Sequence, residues 1–91
     1  MGNPHMDRIA EVLANDPKAD KKTLVVAGAE VGTMMVGAVS GKGDLLADMR
    51  RSLTQLEFSP ETIDSAVNAA RPFAQIVKQL GSALGEGTGR Y

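Results

Sequence analysis

An α+β fold is what this 91-residue sequence predicts, and three observations carry that expectation. Apolar residues recur at helical spacing near the N-terminus and again from residue 44 onward. Between these regions, Thr23 to Val39 is nearly uncharged, rich in valine and methionine, and punctuated by Gly28, Gly32 and Gly37. That middle stretch suits two strands and a turn better than a water-facing helix, because glycine inside a helix costs about 1 kcal/mol relative to alanine. The expected order is a short N-terminal helix, a β-hairpin at about 22–40, and then two to three helices, at 44–57 and at 60–84 with a kink at Pro72. An all-α bundle is the alternative.

Met1 to His5 read as a cloning remnant ahead of a natural start at Met6, which leaves residues 6–84 as one small domain and 85–91 as a glycine-rich flexible tail. The only histidine, His5, falls in the remnant. Residues 7–11 lack the apolar run of a secretory signal, so a cytoplasmic location is the default expectation. Ile9, Val12 and Leu13 have helical spacing, and Asp7 and Glu11 lie early, where the helix dipole favours acids. Asn15-Asp16-Pro17 ends this helix, since the residue before proline is pushed out of the α region. Lys18, Lys21 and Lys22 form a basic connector.

In the hairpin reading, Gly32 takes a left-handed position that closes a three-residue loop. Apolar side chains then occupy both strand faces, so both must be covered. A lone two-stranded hairpin is marginal in water. The helices cover one face, and the other is left for a second chain. Val25, Ala27, Met34, Met35, Val36 and Val39 are therefore the expected interface of a homodimer. As a membrane span the same segment is short of the roughly 20 residues required, and Glu30 would sit near its middle. Membrane insertion is the less favoured reading.

Asp44 is placed as the N-cap of the next helix, whose Leu45, Met49, Leu53 and Leu56 form one stripe. Ser59-Pro60-Glu61 is a strong start signal for the last one: serine at the cap, proline at the first helical position, acid in the first turn. Ile63, Val67, Ala70, Ala74, Val77 and Leu84 continue a core stripe, flanked by Ala66, Phe73 and Leu80. Pro72 must kink or split that helix, because it lacks the backbone donor and clashes with a carbonyl one turn back.

Composition narrows the chemistry. A chain this short buries only roughly 60 to 65% of the surface it exposes when unfolded, and it has no cysteine for disulfides or thiolate metal sites. Association is the remaining common source of stability. The formal charge of −1, evenly mixed in sign, argues against a strongly electrostatic nucleic-acid binder. Ser40, Ser52 and Ser59 lack a histidine base, and Asp44 and Asp48 stand where caps and dipole partners belong. No catalytic residue, metal ligand or cofactor is expected. Gly41-Lys42-Gly43-Asp44 lacks the spacing and the hydroxyl of a Walker loop, and reads as a tight strand-to-helix turn capped by Asp44.

The run Leu53 to Ile63 resembles a helix-turn-helix in Leu56, Phe58, Pro60 and Ile63, and departs from it at Leu53 and Glu57, where that motif usually has alanine and glycine. Extended to Leu80, it is similar to the ubiquitin-associated three-helix module, with Leu56-Glu57-Phe58 where that family has a Met-Gly-Phe loop. The first resemblance implies a DNA-binding regulator, with Lys18, Lys21, Lys22, Lys42, Arg50 and Arg51 contacting phosphates. The reading favoured by the whole chain is a non-enzymatic regulatory or adaptor domain, whose partners are itself and an unidentified protein.

Overall fold

Short polar side chains at the loop ends set where helices begin. In the computed structural model, which describes residues 4–88 and the side chains of residues 4–80, Asp20 accepts a hydrogen bond from the Thr23 amide (2.7 Å) and Asp44 from the Ala47 amide (3.3 Å). Ser59 Oγ accepts from the Thr62 amide (3.3 Å), with Pro60 at the first helical position. Each cap satisfies an amide that has no partner within its own helix. The helices are α1 (Pro4–Ala14), α2 (Lys21–Val39), α3 (Leu45–Gln55) and α4 (Pro60–Thr88).

The ends of α2 and α3 share one device. After α2, Gly41 takes φ +79°, its amide bonds the Ala38 carbonyl (3.0 Å), and the Lys42 amide bonds that of Gly37 (2.8 Å). After α3, Glu57 takes φ +66°, its amide bonds the Thr54 carbonyl (3.0 Å), and the Phe58 amide bonds that of Leu53 (3.1 Å). Both are Schellman turns, which return the chain sharply and satisfy the last carbonyls. Gly43 is also left-handed, and a Cβ there would lie 2.6 Å from Asp48 Oδ2. Gly41 and Gly43 therefore hold the tight α2–α3 turn.

One core fills the space between the helices. Ile9 and Leu13 of α1, Ala27, Val31, Met35 and Ala38 of α2, Leu45, Met49 and Leu53 of α3, and Ile63, Ala66, Val67 and Ala70 of α4 are buried, together with Phe58 from the α3–α4 corner. α4 packs mainly on α1 and α3, while α2 leans chiefly on α3.

The expected α+β fold is overturned: the described residues contain no strand, and the 22–40 segment is the single helix α2 rather than a β-hairpin. The all-α alternative fits. A helix closes its backbone hydrogen bonds within the segment, whereas an isolated hairpin leaves two open edges that no strand among the described residues pairs. The apolar residues also divide by helical phase. Ala27, Val31, Met35 and Ala38 turn inward, while Val25 and Val36 are 69% exposed on the opposite side. Gly32 is helical, and the left-handed glycines are Gly41 and Gly43.

Helix α4 runs through Pro72 without a break. Pro72 lies on the exposed side, where water has access to the carbonyl its ring leaves unbonded. Pro4 and His5 belong to α1, and the His5 ring meets Phe73 edge-on at 5.6 Å between centroids. Residues 85–88 of the expected tail continue α4, and 89–91 lie outside the described residues.

Candidate interaction surface

Helix α2 is not amphipathic: both of its faces carry apolar residues, and only one is covered. Val25, Val36 and Val39 are 69%, 69% and 54% exposed, with Ala29 also exposed and Gly32 half-buried along the same strip. Four- and three-residue steps from Val25 through Ala29, Gly32 and Val36 to Val39 keep them on one side of the helix. A Cβ built on Gly28 or on Gly32 meets nothing within 4 Å. Close packing inside this chain thus does not require either glycine.

The inward side of α2 is fastened at its middle. Ser52, buried on α3, donates its hydroxyl to Glu30 Oε1 at 3.1 Å. This contact and the four buried apolar residues fix the rotation of α2 about its own axis. Their removal from solvent is what turns the valines outward.

Of the six residues expected at an interface, Val25, Val36 and Val39 lie together on the open face. Ala27 and Met35 are core residues, and Met34 is half-buried against the core. The hairpin expectation assigned faces with a period of two, and a period of 3.6 separates these six differently. Exposed apolar side chains also occur at Val26 on α2 and at Ile76 and Leu80 on α4. Leu80 was expected in the flank of the core stripe. Ala69, Phe73, Ile76 and Leu80 follow a helical stripe that could have been read as a second apolar face.

The six cations expected to contact nucleic acid do not form one patch. Lys18, Lys21 and Lys22 lie around the start of α2, and Lys42 follows its other end, some 28 Å away by helix rise. That separation exceeds the roughly 8 Å Debye length at physiological salt. Arg50 pairs with Asp64 on α4 at 2.8 Å, and Arg51 pairs with Asp48 one turn back. The acids of the helix-turn-helix-like corner, Glu61 and Asp64, are exposed in the first turns of α4, where phosphate would be repelled.

Asp16 is a polar node that the sequence reading passed over. It is only 3% exposed, and its carboxylate accepts from the amides of Ser59 (2.9 Å) and Lys18 (2.8 Å). It thereby ties the α1–α2 connector to the α3–α4 corner. The Ser59 amide, then the Lys18 amide, hold its pKa below the usual carboxylate value against the opposing effect of desolvation. The Thr23 hydroxyl and then its amide do the same for Asp20. These contacts are structural: they stitch loops and cap helices.

The residues that a catalytic reading would need are similarly occupied. Asp44 caps α3, Asp48 pairs with Arg51, and Gly41 and Lys42 spend their amides on the end of α2. The described residues hold no group of three His, Cys, Asp or Glu placed to bind a metal ion. An open groove of about 570 Å³ lies between the start of α3 and the middle of α4, lined by Leu45, Leu46, Ala74 and Val77 together with Arg71 and Lys78. Asp44 lines it too, so its charge is mixed.

No protein-family model, curated protein or solved structure matches this chain.

Proposed function

We propose that this chain is a small interaction domain with no chemistry of its own, a regulatory or adaptor piece that works as a homodimer and engages a further protein. The observation that carries this is the uncovered strip of Val25, Val36 and Val39 on a helix whose opposite face is already in the core. Exposed apolar residues scattered singly are ordinary. A strip aligned along one rigid helix is what partner helices use.

Sedimentation equilibrium from the micromolar into the millimolar range tests the proposal. The expected result is a concentration-dependent rise in mass that the Val36→Asp variant suppresses while keeping its helical circular dichroism. A mass that stays monomeric at every concentration refutes it.

A second reading has one observation in its favour. Lys21–Val39 has the length and mean hydropathy, 1.3, of a candidate membrane span. Insertion would pull Ala27, Val31, Met35 and Ala38 out of the core and break the Ser52–Glu30 contact, so it requires the bundle to open. Co-sedimentation with phosphatidylcholine vesicles separates the two: the dimer stays in the supernatant and an inserted chain pellets.

A further inference from the structure

The strip on α2 carries information about how a second copy sits on it. Accepting the self-association proposed above, we infer that two copies pair α2 against α2 in antiparallel orientation, about a two-fold axis passing between Glu30 and Val31. Under that operation Val25 meets Val36 of the second copy, Ala29 meets its Gly32, and Lys22 meets its Val39. Four of the five strip residues thus map onto one another, as an isologous two-fold interface demands, and Val39 maps onto Lys22.

Side-chain size follows the same symmetry. Small residues, Ala29 and Gly32, occupy the crossing point, and valines of equal exposure, 69% each, flank it on either side. Small residues at a crossing let helix axes approach to the low end of the usual 8–10 Å range. Among the described residues nothing lies within 4 Å of a Cβ placed on Gly28 or Gly32, so a second helix backbone can enter that space.

Charge selects the direction. The first turn of α2 holds Lys21 and Lys22 beside the Asp20 cap, its last turn holds no base, and Lys42 follows its end. The two first-turn lysines are unfavourably placed within one chain, since helix N-termini carry partial positive charge and C-termini partial negative charge. Antiparallel pairing sets the lysines of each copy beside the C-terminal end of the other copy's α2. Their methylene stems then cover Val39 while the ammonium groups stay in water. Parallel pairing would gather four lysines at one end.

The area involved sets the strength. A 19-residue helix is about 28 Å long and roughly 10 Å wide, so the strips cover on the order of 560 Å² in total. This is well below the roughly 1,600 Å² of a standard stable interface. The dimer therefore exchanges readily, and the test must trap it.

Cysteine trapping does so, because the 91-residue sequence has no cysteine. Val25→Cys and Val36→Cys are made separately at exposed positions, with folding checked by circular dichroism. Each is then oxidised alone and in a one-to-one mixture, beside sedimentation of the wild type. In the inferred dimer, residues 25 and 36 face each other, while two copies of residue 25 lie about 16 Å apart by helix rise. A disulfide needs Cα atoms within about 7 Å. The expected result is a reducible dimer that is several-fold enriched in the mixture over either variant alone.

Stronger cross-linking of each variant alone means parallel pairing and overturns the inference. Equal yields in all three samples mean random collision and overturn it as well. A wild type that dimerises by sedimentation with no cross-link in the mixture places the contact elsewhere, which refutes the α2 pairing and leaves self-association standing. A monomeric wild type removes both.

Discussion

Replacing Gly28 and Gly32 together by alanine should stabilise the dilute, monomeric protein. Both lie within α2, neither has positive φ, and an added methyl at either meets nothing within 4 Å. The steric cost is therefore negligible, and the helix gains what alanine offers over glycine, about 1 kcal/mol at each position. Part of this comes from restricting the unfolded chain. The two sites are one turn apart on the same helix, so full additivity is not assumed, and about 1.5 kcal/mol is the expected sum. For a domain of this size that raises Tm by about 6 to 12 °C. Thermal and urea unfolding followed by circular dichroism, at a concentration where the wild type is monomeric, measure it. The same methyls thicken the crossing point of the α2 pair, so the double variant should also dimerise less at high concentration. An unchanged or lowered Tm in the dilute sample would refute the reasoning, because it would mean that the space above these glycines is filled within the chain or that α2 is not the helix described.

Three further outcomes follow from the packing. Met49→Ala removes a side chain that is 0% exposed at the centre of the core, and should cost about 2 to 5 kcal/mol in urea unfolding; a loss within error would mean that α3 is not seated as described. Glu57→Gly should gain about 1 kcal/mol, because a non-glycine residue at φ +66° carries a left-handed penalty that glycine lacks; destabilisation would argue against the Schellman turn there. Asp16 has a pKa below its ordinary value, so the stability it contributes is present above about pH 4 and is lost as the pH falls through the depressed value. Asp16→Asn should accordingly be less stable than wild type near neutrality, with the gap in urea midpoint narrowing in acid. A gap that stays constant with pH would remove the titration from the explanation.

Self-contained local signals were legible along this chain. The Asp44 cap, the Ser59-Pro60 start and the inward stripe of Leu45, Met49 and Leu53 depend on a few neighbouring residues and on helical period alone, and the structure has them in place. The turn at Gly41 to Asp44 was also readable as a turn, but it joins two helices rather than a strand to a helix, and the Gly41 and Lys42 amides are engaged by the end of α2. The segment from Thr23 to Val39 was misread because its composition is ambiguous. Valine and glycine both favour strand-and-turn readings locally, and with apolar residues on all sides there was no polar face to reveal the period. What decided the matter is non-local: one face of α2 finds α1, α3 and α4, and no strand elsewhere among the described residues completes a sheet.

The candidate surface shows the same division. That an apolar excess lay between residues 23 and 39 follows from composition, and Val25, Val36 and Val39 of that segment are exposed. Which residues make up the surface does not follow, because Ala27 and Met35 are separated from Val25 and Val36 only by helical phase. That phase is set by Val31 entering the core and by Ser52 bonding Glu30 across 22 residues of sequence. Asp16 was invisible for a related reason, since its importance comes from the Ser59 amide 43 residues away. Short-range chemistry of caps, turns and proline was determined by the sequence itself, because those energies act within a turn or two of the chain. The choice between strand and helix for residues 22–40, and the side of α2 left bare, were decided by tertiary structure, where burial against distant helices outweighs local preference.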